Sequence, residues 1–213
     1  MLHMNKYITE VLGTFFLVFT VCMTTSPAGA GAGALAPIAI GSVLMVMIYA
    51  GGHISGAHYN PAVSFGVMIR GRANMAETVK YWVSQIIGAA IAAYAARYLL
   101  GGGGSGNEGL DTARSLTAEI IGTFALVTVV LNVATSTKNA GNSYYGVAIG
   151  FTVLAMAYAV GGISGGAFNP AVALGKTLLG DFSWTTIWIY LVGNLGGGLL
   201  AGVVYKVMNP EEK

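Results

Sequence analysis

The tripeptide Asn-Pro-Ala occurs twice, at Asn60-Pro61-Ala62 and at Asn169-Pro170-Ala171, and each copy follows a long apolar segment. The same offset of 109 residues relates further matches, which are Glu10 with Glu119, Gly13-Thr14-Phe15 with Gly122-Thr123-Phe124, Ile54-Ser55-Gly56 with Ile163-Ser164-Gly165, and Tyr81 with Tyr190. A register kept without any insertion indicates a duplicated unit. We therefore predict one domain, residues 1–213, built from repeats at about 6–100 and 115–208 that a glycine-rich loop at 101–112 joins.

The composition places these repeats in a membrane. Only 8% of the residues are charged and 55% are hydrophobic, whereas a soluble domain carries about 25% charged residues. Six apolar stretches are each close to the ~20 residues that cross hydrocarbon as a helix, and they lie near residues 7–26, 34–52, 79–100, 115–135, 144–162 and 184–207. They lack the polar face that a helix of a large soluble protein would show. The predicted fold class is an all-α membrane protein with three spans per repeat.

Because three is an odd number, the second repeat is predicted to enter the membrane inverted relative to the first. With a cytoplasmic N-terminus, the inner side receives Lys6, Arg70, Arg72, Lys80, Lys138, Lys206 and Lys213, and the outer side receives Arg97, Arg114 and Lys176. Seven cations against three favour cytoplasmic N- and C-termini. No basic stretch with a small-residue cleavage site surrounds the first span, so we expect no cleaved signal peptide. The expected location is the cell (inner) membrane.

Each Asn-Pro-Ala motif is predicted to begin a helix that crosses only half of the membrane. Proline suits the first helical position, and the asparagine before it suits the N-cap. The apolar runs that follow, at 62–69 and 171–179, reach about halfway through a bilayer. Since the repeats are inverted, the two helix N-termini meet near the midplane, each with roughly half a positive charge. Irregular backbone at that depth is tolerated where it lines a water-filled cavity.

The two motif asparagines have two interpretations. Either Asn60 and Asn169 only cap their helices, or their amides also donate hydrogen bonds to the oxygen of a passing neutral molecule. Two symmetric copies at membrane depth favour the second interpretation. A water molecule that accepts from both amides cannot hand a proton along a continuous chain, and the two positive helix ends repel cations.

The run from His53 to Val63 (His-Ile-Ser-Gly-Ala-His-Tyr-Asn-Pro-Ala-Val), the second Asn-Pro-Ala and the paired Glu-x-x-Gly-Thr-Phe openings resemble the aquaporin and aquaglyceroporin (major intrinsic protein) family over essentially the whole chain. The resemblance implies an aquaporin-like bundle of six tilted helices plus two re-entrant half-helices, with a pore in every protomer of a homotetramer. It implies that Glu10 and Glu119 are buried and hold the motif loops. The implied partners are water, small neutral solutes and the lipid bilayer.

The resemblance also implies a narrow filter outside the motifs, and here the chain departs from its relatives. The four filter positions map by spacing onto Ile40, Ala157, Gly166 and Val172. Most members carry arginine at the position of Val172, and water-specific members carry histidine at that of Ala157 and an aromatic residue at that of Ile40. Without guanidinium and imidazole groups, we predict a wider, apolar filter with relaxed selectivity for glycerol, urea, ammonia or hydrogen peroxide. Strict water selectivity is the alternative.

Two filter assignments stay open in the sequence. A slip of one residue would replace Ala157 by Met156 or by Tyr158, and the tyrosine would narrow the filter. Lys176 is the cation closest to the missing arginine.

Two further alternatives concern gating and functional class. His53 and His58 are expected in the inner vestibule, as a pH gate or as structural histidines.

An inverted-repeat secondary transporter would also use broken helices at the midplane. A secondary transporter of this kind usually needs coupling ions. The spans hold no carboxylate that could bind such an ion besides Glu10 and Glu119.

Other classes of function lack their signatures. The net charge of +2 is small, and no basic run, phosphate-binding loop or metal-spaced His/Cys cluster is present. We therefore expect no nucleic-acid partner, no metal and no cofactor. No nucleophile with a neighbouring base is visible in the spans, so we do not expect an enzyme.

Overall fold

The computed structural model describes residues 2–28 and 31–212, and every regular element in those ranges is a helix. In that part of the chain, six helices are long and apolar enough to cross a membrane: α1 (Leu2–Thr25), α2 (Ala36–Ser55), α4 (Met75–Leu100), α5 (Thr112–Val130), α6 (Tyr145–Ser164) and α8 (Ile187–Met208). The helices α3 (Pro61–Arg70) and α7 (Pro170–Leu179) have only ten residues each. Short 3₁₀ turns lie at Gly33–Leu35 and Thr137–Asn139. The predicted fold class is confirmed.

The predicted spans differ from the observed helices only near their ends. Helix α1 begins at Leu2, before the apolar stretch, and α8 begins at Ile187 because residues 184–186 form a turn. The fourth span changes geometry after Val130 and continues as a π-helical turn, Leu131–Thr135. Hydropathy indicates the length of a span but not this change in winding.

The helices pack in two sets that mirror the sequence repeat. Helix α1 packs on α2 and α4, and α5 packs in the same way on α6 and α8. Each half-helix also packs on a long helix of the other repeat, α3 on α8 and α7 on α4. The two sets meet where α2 contacts α6. The two short helices are therefore held between the repeats.

Glycine allows the close approach of α2 and α6. A Cβ added at Gly41 would lie 2.7 Å from the carbonyl oxygen of Gly150, and one added at Gly150 would lie 2.5 Å from that of Gly41. These residues occupy equivalent places in the repeats, so the pair marks the local symmetry axis. A side chain at either position would push the two repeats apart.

The loop between the repeats is packed, although its composition predicts flexibility. The amide of Gly106 donates to the carbonyl of Gly180 at 2.7 Å. A Cβ at Gly104 would lie 2.3 Å from a carboxylate oxygen of Asp181. Asn107 donates to the hydroxyl of Tyr190 at 2.6 Å. The loop between the repeats therefore packs against the end of α7.

The outer surface of the bundle is apolar. On α1, Ile8, Leu12 and Phe16 are 51%, 50% and 44% exposed and lie one helical turn apart. Such a stripe is unfavourable in water and suits contact with lipid tails or with another apolar surface. Together with the six long apolar helices, it identifies an integral, multi-pass membrane protein.

Candidate functional site

The two Asn-Pro-Ala motifs begin the two half-helices. The side-chain oxygen of Asn60 accepts from the amide of Ala62 at 2.8 Å, and that of Asn169 accepts from the amide of Ala171 at 2.9 Å. Pro61 and Pro170 are the first residues of α3 and α7. Proline lacks the amide hydrogen that would be unpaired at this position, so both helices begin where the sequence predicts.

The same asparagines also join the motifs to each other. The amide nitrogen of Asn60 donates to the carbonyl of Phe168 at 2.9 Å, and that of Asn169 donates to the carbonyl of Tyr59 at 2.9 Å. Each amide has two N–H groups, and residues 2–28 and 31–212 supply an acceptor for one of them on each asparagine. The positive ends of both half-helices are thus held side by side. The sequence did not predict these reciprocal bonds.

Tyr59 and Phe168 turn their carbonyls toward the opposite motif through an unusual backbone. Their φ angles are +50° and +47°, which is uncommon for residues other than glycine. Both side chains are buried, Tyr59 against Gly13 and Phe168 against Gly122. The glycines of the paired Gly-Thr-Phe openings therefore make room for these two rings.

Glu10 holds the backbone of the first motif loop. One carboxylate oxygen accepts from the Ser55 hydroxyl at 2.7 Å and from the His58 amide at 3.0 Å. The other accepts from the Tyr59 amide at 2.8 Å and from the Gln85 side chain at 2.9 Å. The carboxylate is fully buried, and these donors replace water around it.

Glu119 holds the second motif loop in the same way. One oxygen accepts from the Ser164 hydroxyl at 2.6 Å and from the Ala167 amide at 3.0 Å, and the other accepts from the Phe168 amide at 2.8 Å. Tyr190 adds a hydrogen bond to the carbonyl of Ser164. Both glutamates are therefore buried, with the amides of a motif loop turned toward each carboxylate.

The loop carbonyls are left available. In residues 2–28 and 31–212, no protein donor reaches the carbonyl oxygens of Ala57, His58, Gly166 or Ala167. All four residues line the same narrow cavity between the repeats. The loops therefore offer two pairs of hydrogen-bond acceptors, one pair on each side of the motifs.

This cavity, which we call the lumen, runs past both motifs and is mostly apolar. Apolar side chains from α1, α2, α3, α5, α6 and α7 form its wall: Leu17, Val21, Ile40, Leu44, Ile48, Val63, Leu126, Val130, Ile149, Val153 and Val172. Its polar side chains are Asn60, Asn169 and His58. The four predicted filter positions, Ile40, Ala157, Gly166 and Val172, all line it.

Two residues near the predicted filter, Tyr158 and Lys176, have partners away from the lumen. Tyr158 is 51% exposed, and its hydroxyl donates to the carbonyl of Ala34, so it does not face the lumen. Lys176 is buried and donates to the Thr25 hydroxyl at 2.7 Å, with a carboxylate oxygen of Asp181 at 3.4 Å. Lys176 therefore does not occupy the space of the missing arginine.

The two predicted vestibule histidines occupy different places. His58 lines the lumen, and its Nδ1 lies 2.9 Å from the Ser64 hydroxyl. His53 instead lines a wider cavity together with Arg72 and Tyr145. The lining of this mouth cavity, as we call it, lies about one helical turn beyond that of the lumen on α2, on α6 and in the π-helical turn after α5.

Comparison with known proteins agrees with this architecture. The family model described as "Major intrinsic protein" matches residues 1–205. The chain is 37% identical over 200 residues to "Probable aquaporin TIP1-1" of Oryza sativa subsp. japonica, covering 92% of this chain and 78% of the relative. It is 35% identical over 212 residues to "Aquaporin NIP1-1" of Zea mays, covering 96% and 74%.

A solved structure shares the fold. The aquaglyceroporin from Plasmodium falciparum superposes with a TM-score of 0.82 over 98% of both chains, at 23% sequence identity. The family match and the two plant relatives confirm the resemblance seen in the sequence. The chain belongs to the major intrinsic protein family, whose members are channels and not enzymes, and it is a passive membrane channel for water and small solutes.

Proposed function

We propose that this channel passes water and small neutral solutes through an apolar filter without the usual arginine. The observation that supports this most directly is the set of filter residues, Ile40, Ala157, Gly166 and Val172, which line one lumen without a charged side chain. A guanidinium group at the place of Val172 would add five hydrogen-bond donors and occupy part of that space. Its replacement by an isopropyl group relaxes selection by size and by hydrogen bonding.

Hydrogen bonds in the proposed path come from few groups. The carbonyls on both sides of the motifs accept from a solute, and the remaining N–H groups of Asn60 and Asn169 donate to it. Water, ammonia, urea, glycerol and hydrogen peroxide all carry N–H or O–H groups that suit those acceptors. Between the polar groups the wall is apolar, so a solute loses little by moving on.

The size of the lumen orders the proposed solutes. The space open to the centres of water-sized molecules is about 40 Å³. One water needs ~10–15 Å³ of such space, so about three waters fit. Ammonia and hydrogen peroxide are close to water in size, whereas glycerol and urea are larger and require side chains of the wall to move. This narrowness also supports the alternative of strict water selectivity.

Exclusion of protons and cations is proposed to depend on the half-helices. The N-termini of α3 and α7 place two partial positive charges beside the lumen. The remaining N–H groups of Asn60 and Asn169 orient a water molecule as an acceptor and interrupt a chain of donors. Because the filter has no arginine, these two features carry the whole barrier.

We also propose a homotetramer in the cell (inner) membrane with cytoplasmic termini, and a single channel domain over residues 1–213. The orientation rests on the cations that remain once the buried, paired Arg70 and Lys176 are set aside. The proposed inner side then holds Lys6, Arg72, Lys80, Lys138, Lys206 and Lys213, and the outer side Arg97 and Arg114. The apolar outer face supports burial against lipid or a second copy.

Stopped-flow light scattering on proteoliposomes tests the proposed selectivity. Vesicles are mixed with a hyperosmotic solution of each solute, and the rate of re-swelling after shrinkage reports entry of that solute. We expect protein to accelerate re-swelling with urea and glycerol, and a fluorescent peroxide probe to respond faster. Accelerated shrinkage without accelerated entry of any solute would refute relaxed selectivity and establish the water-selective alternative.

A further inference from the structure

A buried ion pair outside the lumen joins two distant parts of the chain. A guanidinium nitrogen of Arg70, at the end of α3, lies 2.6 Å from a carboxylate oxygen of Glu212, which follows α8. The two side chains are only 0% and 3% exposed. Burial of such a pair removes both charges from water and often stabilises a fold less than apolar packing would. The pair therefore calls for a role besides stability.

Arg70 is bonded to the end of the fourth span as well. Its Nε donates to the Thr135 hydroxyl at 2.7 Å, and its Nη2 donates to the Thr135 carbonyl at 2.9 Å. Thr135 is the last residue of the π-helical turn that follows α5. The guanidinium also lies over the Tyr205 ring, 4.6 Å from its centre. Arg70 thus caps the carbonyl end of this turn with a positive charge, which suits the helix dipole.

Glu212 binds the next residues of the same segment. It accepts from the hydroxyl of Ser136 at 2.6 Å, from the hydroxyl of Thr137 at 3.2 Å and from the Thr137 amide at 3.3 Å. The Tyr205 hydroxyl donates to it at 2.7 Å. One carboxylate and one guanidinium therefore fix three consecutive residues, 135–137.

These three residues form part of the wall of the mouth cavity. Thr135, Ser136 and Thr137 line it on the side of α3 and α8, and Gly52 and His53 of α2 line it as well. The volume of this cavity is about 630 Å³. A shift of residues 135–137 away from their anchors would therefore change the shape of the passage between solvent and lumen.

We propose that Glu212, together with Arg70, is a positioning residue that holds segment 135–137 against α3 and α8 and so keeps the mouth cavity open. Neither residue lines the lumen, and neither touches a solute in it. Release of the segment allows it to move into the mouth cavity and slows permeation. The inference rests on the proposed route through the lumen and mouth cavity.

The anchor is permanent at ordinary pH. Hydrogen bonds from the hydroxyls of Ser136 and Tyr205 lower the pKa of Glu212 to about 2. A carboxyl group with a lowered pKa stabilises the fold above its unfolded value of ~4.3 and loses that effect as the pH falls toward the folded value. Between pH 5 and 8 the carboxylate stays charged, so the segment stays anchored.

The test compares Glu212→Gln with Glu211→Gln. The control fits closely because Glu211 is the neighbouring residue, and its ion pair with Lys138 is exposed at both ends and is worth little. Amide hydrogen exchange of residues 131–142 reports release of the segment, and stopped-flow shrinkage per folded channel reports permeation. A double variant, Arg70→Met with Glu212→Leu, removes both buried charges together.

We expect Glu212→Gln to exchange about tenfold faster in 131–142 and to conduct water at about half the wild-type rate or less, while Glu211→Gln matches wild type. The double variant regains thermal stability, because no charge is left buried alone, but it keeps the fast exchange and slow permeation. If the ion pair only stabilised the fold, the double variant would instead regain wild-type stability, wild-type hydrogen exchange and wild-type permeation together.

Equal exchange in Glu212→Gln and Glu211→Gln would overturn the inference, as would fast exchange with unchanged permeation per channel. If wild type conducts neither water nor solutes, the proposed function fails separately. The exchange measurement then still decides whether Glu212 holds the segment.

Discussion

Replacing Glu10 or Glu119 by glutamine tests how the motif loops are held. Each carboxylate accepts backbone amides on both of its oxygens: His58 and Tyr59 for Glu10, and residues 167 and 168 for Glu119. A glutamine side chain has only one acceptor oxygen, so in either orientation its NH₂ group faces one backbone N–H. A backbone amide cannot turn away as a hydroxyl can, so one charge-assisted bond is lost in each variant.

Loss of such a bond costs about 1.5–3 kcal/mol. For a chain of this length, this lowers the melting temperature by about 3–12 °C. Because the repeats use the same geometry, we expect similar shifts for Glu10→Gln and Glu119→Gln. Permeability per channel also falls, because the carbonyls beyond those amides lose their orientation. Thermal unfolding in detergent measures the first effect, and stopped-flow shrinkage measures the second.

Glu108→Gln is the matched control, since Glu108 is exposed on the connector between the repeats. We expect it to unfold and conduct as wild type does. A melting temperature of either buried variant within about 1 °C of this control corresponds to only ~0.3 kcal/mol. Such a result would show that the carboxylate does not hold its motif loop.

Three other changes test the filter, the glycine contacts and the barrier to protons. Val172→Arg restores a guanidinium, so glycerol permeability falls more than water permeability in the same vesicles; an unchanged ratio would contradict the assigned filter position. Gly13→Ala places a Cβ 2.1 Å from the ring of Tyr59, and such overpacking lowers stability by about 1–3 kcal/mol. Gly162→Ala has no atom within 4 Å of its new Cβ and serves as its control in thermal unfolding, where equal shifts would argue against the packing role. Asn169→Asp removes an amide donor and puts a carboxylate at a helix N-terminus, so we expect the proton leak, measured with a pH-sensitive dye, to rise. A leak equal to that of wild type would show that this asparagine adds nothing to the barrier against protons.

Much of the fold was predictable because a bilayer imposes simple constraints on a sequence. Six apolar stretches of suitable length predict the spans, and Asn-Pro predicts the first residues of α3 and α7 from capping chemistry alone. The exact 109-residue repeat predicts that the packing occurs twice. The ends of the helices were less predictable, as the π-helical turn after Val130 shows. Arg70, which is distant in the sequence, donates to the last carbonyl of this turn, and hydropathy gives no signal for such a contact.

Parts of the site were predictable where the same residue occurs at equivalent positions of the two repeats. Glu10 and Glu119 stand out because carboxylates are costly within a span. The bonds from Asn60 and Asn169 to the opposite motif were not predictable, since they depend on the positive φ angles of Tyr59 and Phe168. A tyrosine and a phenylalanine give no sequence signal for that backbone, and Gly13 and Gly122, which face their rings, show only as part of the paired Gly-Thr-Phe motif.

Two opposed half-helices are proposed to form a lumen that conducts water but not protons. The most direct test measures both fluxes in the same proteoliposomes, with light scattering for water and an enclosed pH dye for protons under a clamped voltage. We expect the protein to accelerate water flux greatly and to leave proton flux at the level of empty vesicles. Water flux equal to that of empty vesicles, or a proton leak that rises in step with water flux, would contradict it.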